Sequence, residues 1–260
     1  MAPLNPPVRD WRGRRVWIVG ASTGIGASLA AAFAARGAHV ALSARREPLL
    51  RELVAGLPAG DHVVLPLDIT DVAAVNAAES SLAARWPAYD LVVVMAGDYL
   101  PLDAWHFDLA EAKSLLEVNL TGPLHVLHAV LPRLRARGRG GVALVSSVAG
   151  YRGLPRSLAY GPGKAALINL AESLYFDLHP LGLAVYVVNP GFVRTPLTAQ
   201  NDFEMPALVS AEEAAGEIVS GLARGDFEIH FPRRFTLLMK LLRLLPYRWY
   251  FPLVARRTHR

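Results

Sequence analysis

The sequence contains no cysteine, which excludes disulfide bonds and thiolate chemistry. Its beginning also lacks an apolar run: MAPLNPPVRDWRGRR has none of the hydrophobic core of a signal peptide, so we expect a cytoplasmic protein. Of the 260 residues, 53% are apolar, which is enough for a substantial buried core in one large α/β domain or two small ones.

Acidic residues are missing from the C-terminal end of the chain. Positions 231–260 hold eight Lys or Arg residues and no Asp or Glu. The rest of the chain has 19 basic and 22 acidic residues, a net charge of −3. The overall charge of +5 therefore belongs to the tail, and because the body is slightly acidic we expect no nucleic-acid partner.

Short apolar runs alternate with helical patterns along almost the whole chain. The runs predict buried strands at 15–19, 38–43, 62–67, 90–95, 142–146 and 183–188. The segments between them predict helices at 27–36, 47–57, 71–86, 109–137 and 157–178. This alternation predicts a single α/β domain, a Rossmann-type doubly wound parallel sheet with helices on both faces in three layers.

A glycine-rich turn joins the first predicted strand to the first predicted helix. Gly20, Gly24 and Gly26 allow a tight turn and a close approach of the backbone to a ligand, although three glycines can also simply mark a turn. Free amides at a helix start favour a pyrophosphate, so the turn predicts a dinucleotide site. Its contacts would come from Gly20, Ser22, Thr23, Gly24, Ile25 and Gly26.

Arg45 and Arg46 follow the second predicted strand, where sites that choose NAD usually carry an acidic residue for the ribose hydroxyls. Guanidinium groups suit the 2′-phosphate of NADP, so the sequence predicts a preference for NADP(H) over NAD(H). Alternatively, both arginines are solvated residues at the start of the next helix.

Two further groups of residues follow strands at the edge where ligands bind in open α/β sheets. Asp68 and Ile69 end the third strand; the Asp68 carboxylate could accept a hydrogen bond from the adenine amino group, or could cap the helix that begins near position 71. Ala96 and Gly97 end the fourth strand and offer a floor for a ribose.

Ser147, Tyr160 and Lys164 form the candidate catalytic group. Residues four apart share one helix face, so Lys164 should lie beside Tyr160 and lower the pKa of its phenol, which could then act as a general acid or base. Ser147, at the end of a strand, could donate a hydrogen bond to a substrate oxygen. Asn119 is a poor residue for a helix interior, and it either holds a water against Lys164 or caps a kink. We expect no metal.

The segment after the sixth predicted strand completes the candidate cofactor site. Its backbone groups and the hydroxyl of Thr195 could hold the nicotinamide carboxamide. The residues assigned to this contact are Pro190, Gly191, Val193 and Thr195.

Residues 14–231 closely resemble the short-chain dehydrogenase/reductase family. Asp68, Ala96 and Gly97 match its adenine and ribose positions, and the catalytic tetrad of the family falls on Asn119, Ser147, Tyr160 and Lys164. The resemblance implies hydride transfer between NADP(H) and a carbonyl or alcohol, with Tyr160 as the proton donor or acceptor. It also implies that Lys164 binds the nicotinamide ribose, and that a homodimer or homotetramer forms through helices 109–137 and 157–178.

Two features depart from the family pattern. Val94 and Met95 replace two asparagines on the fourth strand, which affects local packing but no proton-transfer group. Pro162 and Gly163 lie between Tyr160 and Lys164, so the catalytic helix should begin only a few residues before Tyr160. Two alternatives remain: a non-catalytic dinucleotide-binding protein of the same fold, and a same-fold isomerase or dehydratase.

The substrate pocket should be formed by residues 98–101, 148–154 and 192–205, which are mainly apolar and aromatic. This composition predicts a hydrophobic carbonyl or alcohol substrate.

The tail at 232–260 extends beyond the predicted dinucleotide-binding domain at 1–231. Its segment 235–245 is an amphipathic helical pattern with the leucines and Met239 on one face and Lys240 and Arg243 on the other. About eleven residues are too few to span a bilayer. The tail either lies on an anionic membrane surface, or packs on the body, across a subunit interface or over the pocket as a lid.

Overall fold

A computed structural model describes residues 2–199 and 205–258. Seven parallel strands form one sheet in the order β3-β2-β1-β4-β5-β6-β7. The strands are β1 (Arg15–Val19), β2 (His39–Ser43), β3 (Val63–Val64), β4 (Leu91–Val94), β5 (Gly140–Val145), β6 (Leu183–Pro190) and β7 (Glu228–Phe231). Because the order reverses between β1 and β4, a crevice opens at the carboxyl ends of these two strands.

Helices cover both faces of the sheet. They are α1 (Gly24–Ala34), α2 (Glu47–Ala55), α3 (Val72–Arg85), α4 (Leu109–Leu116), α5 (Gly122–Arg137), α6 (Tyr160–Leu178), α7 (Ala211–Arg224), α8 (Arg233–Leu244) and α9 (Tyr247–Thr258). Val16 and Ile18 of β1 pack with α1, α2 and α7, whereas Trp17 packs on the other face with α3, α5 and α6. The predicted doubly wound, three-layer α/β fold is therefore confirmed.

Several predicted boundaries were wrong. Helix α1 begins at Gly24 instead of position 27, inside the glycine turn. Strand β3 has two residues instead of the predicted six. The chain still donates from Leu65 and Leu67 to β2 and the residue after it, but Pro66 has no amide to contribute to a ladder.

The predicted helix 109–137 is interrupted. A π-helical segment, Glu117–Thr121, separates α4 from α5. The Nδ2 atom of Asn119 donates to the carbonyl of Leu115 (2.9 Å) and to that of Asp98 (2.8 Å). A π turn shifts backbone hydrogen bonds by one residue, and the side-chain amide of Asn119 supplies a donor that an apolar residue would lack.

Helix α6 begins at Tyr160 itself, so the predicted start at 157 was three residues too early. Pro162 then lies in the first turn, where its missing amide has no intrahelical partner to lose.

Three elements near the C-terminus were not predicted: α7, β7 and α9. Ser210 caps α7 through a reciprocal bond pair with Glu213, a sequence signal that identifies this helix start. Within residues 2–199 and 205–258, no helix has both the length and the apolarity to cross a bilayer.

Candidate active site

The structure brings Ser147, Tyr160 and Lys164 together at the carboxyl end of β5. Ser147 lies two residues beyond this strand, where its Oγ accepts a hydrogen bond from the amide of Ala149 (3.1 Å) and its hydroxyl also hydrogen-bonds with Tyr160. Tyr160 is the first residue of α6 and is partly exposed, whereas Lys164, one turn later, is 4% exposed. The spacing in the sequence therefore becomes a compact group in space.

Close packing holds the first turn of α6 against the segment after β5. The hydroxyl of Ser146 donates to the carbonyl of Lys164 (2.6 Å). A Cβ atom at Gly150 would lie 2.7 Å from the carbonyl carbon of Lys164, so only glycine permits this approach. These contacts fix the position of Tyr160 relative to Ser147.

Burial shifts the pKa of both Tyr160 and Lys164. It raises the pKa of Tyr160 to about 12, and the hydrogen bond with Ser147 only partly opposes this increase. Burial also lowers the pKa of Lys164 to about 8. The expected lowering of the Tyr160 pKa by Lys164 is not found: desolvation is the largest effect on this phenol, and Tyr99 raises its pKa further.

Asn119 lies close to this group. A Cβ atom placed at Gly97 would be 3.1 Å from Oδ1 of Asn119 and 3.3 Å from Nζ of Lys164, so both polar atoms border the same small space. Asn119 is fully buried and is held by its two carbonyl partners. Both roles considered from the sequence fit this position: the residue stabilises an irregular helix and faces Lys164.

The glycine turn forms one wall of a cavity of about 260 Å³ at the sheet crevice. A Cβ at Gly20 would lie 2.4 Å from the amide nitrogen of Ala96, and a Cβ at Gly26 would lie 2.1 Å from the carbonyl oxygen of Gly20. Any side chain at either position would therefore move the turn. Thr23 precedes α1 without capping it through its side chain, which leaves the helix start directed at the cavity.

Most of the predicted cofactor residues line this cavity. They are Gly20, Ser22, Thr23, Gly24, Ile25, Gly26, Arg45, Arg46, Asp68, Ile69, Ala96, Gly97 and Thr195.

The other predicted cofactor residues lie elsewhere. Val193 is 3% exposed and packs in the hydrophobic core beside the sheet. Pro190 ends β6, and Gly191 donates its amide to Phe231 (2.7 Å). Neither these three residues nor Asn119, Tyr160 and Lys164 line this cavity.

Arg46 and Asp68, two charged residues of the cavity wall, have different hydrogen-bond partners. Nη2 of Arg46 donates to the hydroxyl of Ser22 (3.2 Å) and lies 3.5 Å from that of Thr23, so this guanidinium bends over the glycine turn. Asp68 accepts from the amide and hydroxyl of Thr70 (2.9 and 2.8 Å), which lowers the pKa of its carboxyl. Helix α3 is capped by Asp71, so the capping role considered for Asp68 was wrong.

Tyr99 is a site residue that spacing did not reveal. Its ring lies edge-on to that of Tyr160, with 5.1 Å between the ring centres. The sequence placed Tyr99 only in the predicted pocket wall. Of that wall, residues 200–204 lie outside the described part of the chain.

A second group that the sequence did not reveal supports the loop after Ser147. Glu228 accepts from the hydroxyl of Tyr151 (2.6 Å), from Nδ2 of Asn189 (2.8 Å) and from Nζ of Lys240 (2.6 Å). These residues come from four different parts of the chain, so no local pattern could predict their contact.

Comparisons with known proteins agree with the resemblance seen in the sequence. The model of the short chain dehydrogenase family matches residues 14–205. An uncharacterized oxidoreductase of Myxococcus xanthus is 37% identical over 235 residues, which cover 90% of this chain and 93% of that protein.

Two further similarities bear on function. The 11-beta-hydroxysteroid dehydrogenase-like protein 4A of Arabidopsis thaliana is 31% identical over 248 residues, covering 90% of this chain and 81% of that protein. A solved structure described as ribose-5-phosphate isomerase from Brucella melitensis 16M is 28% identical with a TM-score of 0.78, covering 85% of this chain and 92% of that one.

Proposed function

This chain belongs to the short-chain dehydrogenase/reductase family, and we propose that it is an NADP(H)-dependent oxidoreductase that interconverts a carbonyl and an alcohol on a hydrophobic substrate. The observation that carries the proposal is the hydrogen-bonded pair of Ser147 and Tyr160, with Lys164 one turn away, at the sheet edge where the glycine-lined cavity opens. When bound, NADPH supplies the hydride.

Tyr160 is the proposed proton donor in reduction. Because burial raises its pKa to about 12, the phenol is protonated at neutral pH and is ready to protonate a carbonyl oxygen. Ser147 orients the same oxygen and donates a hydrogen bond to it as negative charge develops. In the oxidation direction the tyrosine must first lose its proton, and its raised pKa opposes that step.

Lys164 and Asn119 have supporting roles in the proposal. Nζ of Lys164 is held by the carbonyl of Val145 (3.1 Å) and lies near the space bordered by Gly97 and Asn119. From there Lys164 would contact the nicotinamide ribose, and Asn119 with a water would pass protons between the site and solvent. In this proposal Lys164 helps to bind the cofactor and also places a positive charge near Tyr160.

The cavity fits a dinucleotide phosphate. The close approaches at Gly20 and Gly26 hold the glycine turn tightly in place, and the start of α1 beside it lines the cavity, where its free amides suit a pyrophosphate. Arg45 and Arg46 line the same cavity, and the contact of Arg46 with Ser22 places positive charge beside the turn. This charge supports NADP(H) over NAD(H), because a 2′-phosphate pairs well with guanidinium groups.

A hydrophobic substrate is supported by the surroundings of Tyr160. The ring of Tyr99 packs on it, and a small apolar cluster of Leu102, Ala112, Leu115 and Ala159 lies beside the start of α6. The similarity to a protein described as a hydroxysteroid dehydrogenase-like protein points in the same direction.

The same-fold isomerase is the second candidate, since one similar structure is described as a ribose-5-phosphate isomerase. A sugar phosphate needs cationic side chains near the reacting carbon. The described surroundings of Tyr160 are mainly apolar or aromatic, and the cation beside it, Lys164, is held by the carbonyl of Val145. The arginines that line the cavity lie by the glycine turn. This distribution favours the oxidoreductase.

We further propose that the protein is cytoplasmic and assembles as a homodimer or homotetramer. Helices α4, α5 and α6, the elements expected at subunit contacts, carry the exposed apolar residues Leu109, Leu124 and Phe176. Residues 1–231 form the proposed catalytic domain and 232–260 a separate extension.

Titration calorimetry with NADPH and NADH side by side tests the cofactor, and NADPH oxidation with 2-decanone, cyclohexanone and androstenedione tests the reaction. Preferred NADPH binding together with oxidation by a ketone supports the proposal. Binding of neither nucleotide would favour the non-catalytic alternative. Nucleotide binding with rearranged product and no net NADPH oxidation would favour the isomerase.

A further inference from the structure

The tail helix α8 packs on the body through a side that mixes polar and apolar residues. Thr236 is fully buried and its hydroxyl contacts His230 (2.6 Å), while Nζ of Lys240 pairs with Glu228 of β7 (2.6 Å). Phe235 and Met239 fill the gaps beside the core. An amphipathic helix normally buries its apolar stripe, but four leucines of α8 are exposed, and Met239 and not the leucines packs beside the core.

The leucines of α8 consequently point away from the body, and the following helix adds aromatic side chains to the same part of the chain. Their exposed fractions run from 39% to 78%. We call these residues the tail surface: Leu237, Leu238, Leu241, Leu244, Tyr247, Trp249, Phe251 and Leu253. So many exposed apolar side chains in two adjacent helices mark an interaction site.

The tail surface is held in a fixed position. Arg152, in the loop after Ser147, donates to the carbonyls of Leu242, Arg243 and Leu245 (2.9, 2.9 and 2.7 Å). Its guanidinium also lies 4.0 Å from the ring centre of Tyr250, whose hydroxyl donates to the carbonyl of Gly153 (2.7 Å). The end of α8 and the start of α9 are thus fastened to the predicted substrate loop.

The positive charge of the tail indicates what kind of partner binds to the tail surface. Positions 231–260 contain eight basic and no acidic residues, and in the described part of the tail five arginines are exposed beside the apolar side chains: Arg233, Arg234, Arg243, Arg248 and Arg256. A symmetric contact between two copies would place this surface against itself and bring these cations together. An anionic lipid headgroup layer complements them, and leucine, tryptophan and tyrosine are residues typical of helices that lie in a bilayer interface.

We propose that the tail surface docks on an anionic lipid bilayer, with α8 and α9 in the plane of the headgroups. The leucines and aromatic rings enter the boundary of the acyl chains, and the arginines contact the headgroup phosphates. Docking uses no residue of the cofactor cavity. It is therefore independent of the proposed reaction, and either can fail without the other.

Vesicle co-sedimentation of the full-length protein tests the docking. The vesicles are phosphatidylcholine with phosphatidylglycerol, compared with phosphatidylcholine alone, at low and high salt. We expect binding to the anionic vesicles only, weakened by salt because the electrostatic part is screened. Deleting the tail is a poor test, since Phe235, Met239 and Lys240 support the body.

Substitutions on the tail surface test the docking better than deletion of the tail, because they leave the residues that support the body in place. The double variant Leu241→Gln and Leu244→Gln should reduce partitioning about 100-fold, because two leucines no longer enter the bilayer. The double variant Arg234→Glu and Arg248→Glu should remove the preference for anionic vesicles.

A matched control replaces two exposed leucines outside the tail, Leu4→Gln with Leu181→Gln, and should bind as the parent does. Failure of the parent to bind either vesicle overturns the proposal. So does equal binding by the Leu241/Leu244 variant. A third outcome would also overturn it: the parent does not bind vesicles, and the Leu241/Leu244 variant loses a self-association that light scattering detects in the parent. The tail surface would then be a contact between two copies of the chain.

Discussion

Nζ of Lys164 donates a hydrogen bond to the carbonyl oxygen of Val145, the last residue of β5, at 3.1 Å. The ammonium is therefore fastened to the strand, and it lies 5.6 Å from the ring centre of Tyr160. The pKa of the phenol is nevertheless raised, because desolvation is the largest effect on it. A buried cation held by a carbonyl is positioned for a ligand, and the desolvated phenol stays protonated.

Tyr160→Phe tests the proton donor. The substitution retains the ring and its packing on Tyr99 but removes the hydroxyl. We expect kcat for ketone reduction to fall about 1,000-fold, since general acid catalysis is lost, while NADPH affinity by calorimetry is unchanged. Tyr175→Phe, later in the same helix, serves as the control, because its hydroxyl donates to the carbonyl of Leu4 at an exposed position. Comparable turnover by both variants would remove Tyr160 from its proposed role.

Lys164→Met should make the protein more stable at pH 7. Because the pKa of Lys164 falls from 10.5 to about 8, the buried charge destabilises the folded protein by about 3 kcal/mol, and the substitution removes this cost. The substitution also removes the hydrogen bond to Val145, which destabilises the variant by about 1 kcal/mol. We expect the free energy of unfolding in urea to rise by about 2 kcal/mol.

The stability gained by Lys164→Met should decrease as the pH rises. Between about pH 8 and 10.5 the unfolded chain holds the Lys164 proton and the folded chain does not, so the parent becomes more stable as pH rises. The advantage of the variant should therefore shrink across this window. Lys113→Met, at an exposed position of α4, should show neither effect. A gain independent of pH would mean that hydrophobic packing, and not the buried charge, is its cause.

Arg45→Ala should weaken NADPH binding selectively. Loss of one charge-assisted contact to a phosphate corresponds to about a 10- to 100-fold increase in Kd, and NADH, which has no 2′-phosphate, should be little affected. Arg51→Ala is the control, because Arg51 lies in α2 and pairs with Glu47 outside the cavity. Equal losses for NADPH and NADH would contradict the assignment.

Arg152→Met should loosen the tail. It removes three hydrogen bonds to carbonyls near the end of α8 and the contacts with the rings of Tyr247 and Tyr250. We expect a loss of about 2–4 kcal/mol in local stability, measured as faster amide hydrogen exchange in 247–258. Arg135→Met, at an exposed position of α5, should leave that exchange unchanged. Unaltered exchange in the Arg152 variant would show that other contacts hold the tail.

Patterns that are local in the chain were sufficient to predict most of the fold. Strands β1, β2, β4, β5 and β6 could be predicted because parallel strands buried on both faces form continuous apolar runs. The glycine turn was recognisable because only glycine allows the approach seen at Gly20. Strand β7 was missed, since four residues, with Glu228 among them, make too short a run to stand out.

The order of the residues along the chain by itself determined the doubly wound sheet, the glycine cavity and the meeting of Ser147, Tyr160 and Lys164, since each depends on strand ends and on one helical turn. Only the tertiary structure decided the shifts in the pKa of Tyr160 and of Lys164, because burial depends on packing by distant segments. It alone also left four leucines of α8 exposed, because Glu228 and His230 of β7 hold Lys240 and Thr236 of that helix against the body.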